Sequence, residues 1–158
     1  MGEYLSFKPK KRQEITKKIK QIISKRKEIV FAFVFGSFLD SPSFRDIDIG
    51  VYVKDFKKDK IFDYELELSK IIANACNLPF DIIEVKVLNL TPNSFLNNIF
   101  SRGKMLFSKN DQFLSNIIEN TSLEAVANEY IAYQSLKELV PVSKWFMEID
   151  KEKIKQRF

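Results

Sequence analysis

Asp46 and Asp48 stand two residues apart in the run 46–53 (DIDIGVYV), which alternates polar and apolar side chains. A period of two is that of a strand, so Asp46, Asp48, Gly50 and Tyr52 share one face and Ile47, Ile49, Val51 and Val53 the other. Two carboxylates that close repel, and one is driven toward protonation unless a cation sits between them. Mg²⁺ suits that role because it prefers carboxylate and phosphate oxygens. Upstream lie Gly36 and Ser37. Gly36 lacks a Cβ and lets the backbone approach a phosphate, while Ser37 offers a hydroxyl and an N–H. If Ser37 opens a helical turn, its free N–H groups face an anion. One loop would then hold phosphates and the next strand the metal on them. Two-metal attack at phosphorus needs a third carboxylate. Asp81, expected to open the third strand after Pro79, is the candidate, both as metal ligand and as base toward a hydroxyl. Glu84 is a weaker candidate, expected on the opposite face of that strand.

The elements that must place these residues follow from periodicity. Ile15, Ile19, Ile22 and Ile23 form one helical stripe, giving a helix over about 10–28. Residues 29–35 (IVFAFVF) read as a strand buried on both faces. Residues 38–45 form a turn, 46–53 a strand and 54–60 a charged loop. Helical spacing returns over 61–76 and is broken at Asn77-Leu78-Pro79. A third strand is expected over 80–88. A helix over 91–102 would have Thr91 as its N-cap, Pro92 at its first position and Gly103 as its stop. Residues 104–107 suit a short edge strand. From Gln112 the pattern is helical until Pro141, before Trp145 and Phe146. The order implies a small α/β (α+β) domain, 1–110, with a helical C-terminal extension, 111–158.

Composition narrows the chemistry. Among 158 residues there is no His, which excludes Ser-His-Asp and Cys-His catalysis and His-ligated zinc. The single Cys, Cys76, excludes an intrachain disulfide and reads as a small buried hydrophobe. No apolar run is long enough to span a membrane, and the first residues (MGEYLSFKPKKR) lack a secretion signal, so a cytoplasmic location is expected. The charge is +5, from 26 Lys+Arg against 21 Asp+Glu, with the excess between Lys8 and Lys27. That stretch is either the solvated face of an amphipathic helix or a nucleic-acid footprint, and few aromatics are interleaved with it.

Gly36-Ser37, a spacer, Asp46-x-Asp48 and the later Asp81 resemble the hallmark of the minimal nucleotidyltransferases of the polymerase-beta-like superfamily. The resemblance runs from about Ile29 to Ser108 and includes Asp81-Ile82-Ile83-Glu84-Val85, Thr91-Pro92 and Gly103-Lys104-Met105-Leu106-Phe107. It implies a small mixed sheet flanked by helices, two Mg²⁺ ions, and ATP or another nucleoside triphosphate as substrate. It also implies transfer of a nucleoside monophosphate to a hydroxyl with release of pyrophosphate. Many small members resemble antitoxins of HEPN-type toxins: some AMPylate a toxin tyrosine, and others act mainly by binding it. The spacer here is short, the eight residues Phe38 to Arg45. Phe38-Leu39-Asp40 replaces an Ala-Arg-Gly common in the family, and Arg45 stands where Ser often precedes the first Asp. Arg45 could supply the missing basic contact to the nucleotide. A weak toxin-binding module, or a transferase acting on RNA or a small hydroxyl compound, stays open as an alternative. The aromatic stripe with Tyr130, Tyr133, Trp145 and Phe146 either packs on the core or forms a partner or dimer surface.

Overall fold

The computed structural model describes residues 4–139; Pro141, Trp145 and Phe146 lie outside the described residues. Nine principal elements follow in chain order: α1 (Pro9–Ser24), β1 (Ile29–Phe35), α2 (Ser37–Asp40), β2 (Ile47–Val53), α3 (Ile61–Cys76), β3 (Ile83–Val87), α4 (Asn93–Arg102), β4 (Lys104–Ser108) and α5 (Asp111–Leu139). The strands make one mixed sheet in the order β3-β2-β1-β4. β1 pairs antiparallel with β2 and β4, and β2 pairs parallel with β3.

β1 is central, and its alternating side chains build two cores. Ala32 and Val34 face α1 and α3, joining Ile15, Ile19 and Ile23 with Leu68 and Ile72. Phe31 and Phe33 face the other way, onto Leu96 and Ile99 of α4 and Leu114 of α5. Ile23, Ile29, Phe31 and Ile72 are fully buried, each removing an apolar side chain from water for about 1.5–3 kcal/mol. A strand sandwiched by helices must be apolar throughout, which is what IVFAFVF supplies.

α1 stops at Ser24, short of the expected 28, because its isoleucine stripe ends at Ile23 and Lys25-Arg26-Lys27 has nothing to bury. Arg26 instead turns the chain, its N–H donating to the Ile23 carbonyl and its side chain pairing with Glu28 at 2.8 Å. α3 spans Ile61–Cys76 and is closed by left-handed Asn77, φ 54°. The third strand differs from expectation. Residues Phe80–Ile82 form a 3-10 turn, and β3 begins only at Ile83. Pro79, extended at ψ 142°, accepts the Ile82 N–H and winds those residues into the turn. α4 starts at Asn93: Pro92 is its N-cap, and the Thr91 hydroxyl donates back to the Val87 carbonyl rather than capping the helix. On α5, Phe113, Ile117 and Ile118 pack on the second core and Tyr133 is buried, while Leu123, Tyr130 and Ile131 are exposed. Cys76 is half-buried. Among the described residues no helix is long and apolar enough to cross a membrane.

Candidate active site

The site begins where β1 ends. Phe35 pairs with Asp48 across the antiparallel ladder, and the next residue, Gly36, has φ +83° and ψ −163°. This backbone conformation is essentially reserved for glycine. A Cβ here would also overlap the Asp48 carboxylate, meeting Oδ2 first. Gly36 is therefore required twice, by its dihedral and by the acid it passes.

The spacer that follows is short but fixed. Leu39 and Asp40 donate N–H groups to the Gly36 carbonyl at 3.1 and 3.3 Å, and Ser41 to Ser37 at 2.8 Å, closing the single turn of α2. From α1, Arg12 donates to three carbonyls at once: Phe7 through Nε (3.1 Å), and Phe38 and Pro42 through its two terminal nitrogens. Its guanidinium also lies 5.3 and 5.1 Å from the ring centres of Phe38 and Phe44, which pack edge to face at 4.8 Å. A short backbone bridge joins Leu5 to Phe44. Thus α1 holds the segment that joins the glycine bend to the Asp-x-Asp strand.

Asp48 lies on β2, part-buried, with Glu84 beside it in parallel register on β3. Its pKa is raised from 3.8 to about 7, first by burial, then by the charge of Glu84 and a side-chain hydrogen bond with it, and finally by Asp46. Asp46 precedes β2 and is also part-buried. The crowding inferred from residues 46 and 48 thus exists, and its larger partner comes from another strand.

These groups open onto a cleft of about 400 Å³ lined by Phe35, Gly36, Asp40, Asp48, Glu84, Lys86, Phe95, Asn98 and Arg102, within the usual range for small-molecule pockets. Phe35 and Phe95 meet edge to face at 5.9 Å, and the Lys86 ammonium sits 5.3 Å from the Phe95 ring centre. The cleft therefore combines carboxylates, two cations and an accessible aromatic ring.

Of the candidates read from sequence, Gly36 and Asp48 line this cleft, and Asp46 acts on Asp48 from beside it. Ser37 is exposed on α2. Arg45 is exposed, its guanidinium 5.3 Å from the Tyr4 ring centre rather than in the cleft lining. Asp81 is not where strand alternation placed it. It lies exposed in the 3-10 turn and lines a neighbouring groove, because β3 starts two residues later. Glu84, expected on the opposite face, stands beside Asp48 because Ile83 pairs with Ile47. Tyr52 stacks on Phe31 at 5.1 Å and meets Phe113, so it belongs to the second core. Lys86, Asn98 and Arg102 had no place in the sequence reading. The alternation Ile83-Glu84-Val85-Lys86-Val87 was the signal for Lys86, since it puts Lys86 on the face of Glu84.

The donor set suits a hard divalent cation: carboxylate oxygens, a glycine leaving Asp48 uncovered, and like charges that a cation would relieve. Among the described residues no three acidic side chains already converge as a ready cage. Asp46, Asp48 and Glu84 are the groups that would hold such an ion.

The sheet order, the helices on both faces and an acidic cleft beside a glycine bend define a nucleotidyltransferase-type α/β domain. The chain belongs to the polymerase beta nucleotidyltransferase family, which it matches over residues 17–112. No curated protein is significantly similar to it in sequence. Among solved structures it resembles a chain of the tri-AMPylated Shewanella oneidensis HEPN toxin in complex with MNT antitoxin. The TM-score is 0.55 at 18% identity, over 80% of this chain and 96% of that one. It also resembles a chain of the MntA–HepT toxin–antitoxin, with TM-score 0.53 at 17% identity over 83% and 97%. A third is a toxin–antitoxin with AMP-PNP, with TM-score 0.55 at 19% identity over 78% and 95%. At these identities the likeness is one of fold.

Proposed function

We propose that this protein is an antitoxin-type nucleotidyltransferase that transfers AMP from ATP to a hydroxyl of a HEPN-type toxin. The observation that carries the reading is the crowded Asp48–Glu84 pair, with Asp48 part-buried and Glu84 exposed, at the mouth of a 400 Å³ cleft directly beneath the Gly36 bend. Support for the partner and nucleotide comes from the fold relatives, which include an AMPylated HEPN toxin bound to its MNT antitoxin and a complex with AMP-PNP.

In this reading the triphosphate lies between Gly36 and the cations Lys86 and Arg102, with Phe95 offering a face for the base. The acceptor oxygen attacks the α-phosphorus. The bond from that phosphorus to the bridging oxygen of the β-phosphate breaks, and pyrophosphate leaves. The hydroxyl proton passes to a carboxylate oxygen of Glu84. Mg²⁺ held by Asp46, Asp48 and Glu84 would neutralise phosphate charge and polarise the reacting phosphorus. Lys86 and Arg102 add fixed positive charge where negative charge builds up on the leaving pyrophosphate.

The test is incubation with Mg²⁺, radiolabelled ATP and the HEPN-type protein of the native host, followed by intact-mass analysis of that protein. An AMP-sized adduct formed by the wild type and lost in Asp48→Asn supports the reading. Toxin neutralisation that persists unchanged in Asp48→Asn, with no adduct in either, replaces it with occlusion by binding.

A further inference from the structure

A second groove, about 320 Å³, runs between α3 and the outer edge of β3. Its apolar lining includes Phe62, Leu66 and Phe80, and it is open: Phe62 is 73% exposed and Phe80 42%. Large aromatics this exposed and this close together are uncommon on a surface that meets only water. The charged groups lining it are Glu65, Asp81 and Glu84, all acidic, in a chain whose net charge is +5. The Lys70 ammonium lies 5.5 Å from the Phe80 ring centre.

Two features fix what can sit there. First, the outward amides of β3 are already used: the Val85 N–H donates to Ser69 Oγ at 3.3 Å and the Val87 N–H to Glu65 Oε2 at 2.7 Å. A partner therefore cannot add a strand to this edge and must bind through side chains. Second, Glu84 lines both this groove and the acidic cleft, so an occupant of the groove ends beside the phosphate-transfer centre.

We propose that this groove is the docking surface for the acceptor protein, and that it takes a helical or loop segment pairing an apolar anchor with a Lys or Arg. The anchor packs on Phe62 and Phe80, the cation faces Asp81 and the Glu84 end, and the acceptor hydroxyl is delivered across Glu84. The inference rests on the nucleotidyltransferase reading and supplies its acceptor chemistry. It also gives Asp81 a role that is electrostatic and outside the cleft.

The test uses the HEPN-type protein of the native host as probe and two substitutions at Phe62, whose exposure removes it from folding. Toxin binding is measured by calorimetry and AMP transfer is measured separately. Phe62→Lys is expected to weaken toxin binding about tenfold or more and to raise KM for the toxin, leaving kcat at saturating toxin and AMP-PNP affinity unchanged. Phe62→Leu is expected to restore most of the affinity. Raising salt to about 0.5 M is expected to weaken wild-type binding several-fold, since exposed charge pairs are screened. Phe62→Lys binding the toxin as tightly as wild type overturns the proposal, as does a toxin that does not bind the wild type at all. A toxin that binds, loses affinity in Phe62→Lys, yet is never AMPylated leaves the docking surface standing and removes only the transferase reading.

Discussion

Asp48 is costly to keep where it is, so replacing it should make the fold stronger while ending its chemistry. Its carboxyl is held at about 7 against 3.8 unperturbed, through burial, Glu84 and Asp46. The sign follows from the protons bound. The unfolded chain ionises near 3.8 while the native chain keeps its proton to near 7, so native stability falls as pH rises between those values. The penalty is absent below about pH 4 and complete above about pH 7. The raw conversion gives at most about 4 kcal/mol. The side chain is only part-buried, and solvent screening reduces that figure to about 2 kcal/mol. Asp48→Asn removes the charge and can still donate a hydrogen bond to Glu84. In EDTA at pH 8 it should raise Tm by about 4–8 °C for a chain of this size. At pH 4 the two proteins should melt together. Adding Mg²⁺ at pH 8 should stabilise the wild type and not the variant, because the ion relieves the same repulsion. The assay is thermal and urea unfolding at the two pH values, with and without the metal. An Asn variant no more stable than wild type at pH 8 in EDTA would refute the argument that Asp48 is electrostatically strained.

Gly36→Ala should lose nucleotide binding and destabilise the fold by about 1–3 kcal/mol, through the φ of +83° and the overlap with Asp48; calorimetry with AMP-PNP and urea unfolding check both. Arg12→Ala should cost about 2–3 kcal/mol, from three carbonyl contacts and two ring faces. Arg12→Lys should recover little of that in urea unfolding, because an ammonium cannot reproduce the guanidinium fork. Glu84→Gln should lower AMP transfer by orders of magnitude at saturating toxin, whereas Asp81→Asn should leave kcat unchanged; the reverse ranking would restore Asp81 as the third acid.

Much of the frame was legible because it is local. The isoleucine and leucine spacing and the break at Asn77 mark Ile61–Cys76, and IVFAFVF marks β1. Gly36 was legible as well, since a glycine before a short turn and an Asp-x-Asp strand has few structural reasons to be there. Asp81 lies off the expected strand, and Glu84 rather than Asp81 faces Asp48, because strand start and pairing register are non-local. Residues 80–88 alternate well enough to pass for one strand, but the 3-10 turn consumes the first three and Ile83 takes Ile47 as its partner. Arg12 was hidden for the same reason: nothing near it in sequence says that its guanidinium reaches Phe38 and Pro42. Lys86 was written in the alternation of β3 and needed only the correct strand start.

The topology also dictates an order of assembly. β1 and β2 are joined by a short connection and pair antiparallel, so the Gly36 bend and both early aspartates can meet as a local hairpin. Glu84 comes to Asp48 only after all of α3 has been laid down and β3 has zipped in parallel. The unfavourable meeting of those two acids is therefore confined to the arrival of β3, before β4 joins the other edge. A chain that has not yet paired β3 is spared that strain, and the acidic pair of the cleft forms only when β3 takes its place beside β2.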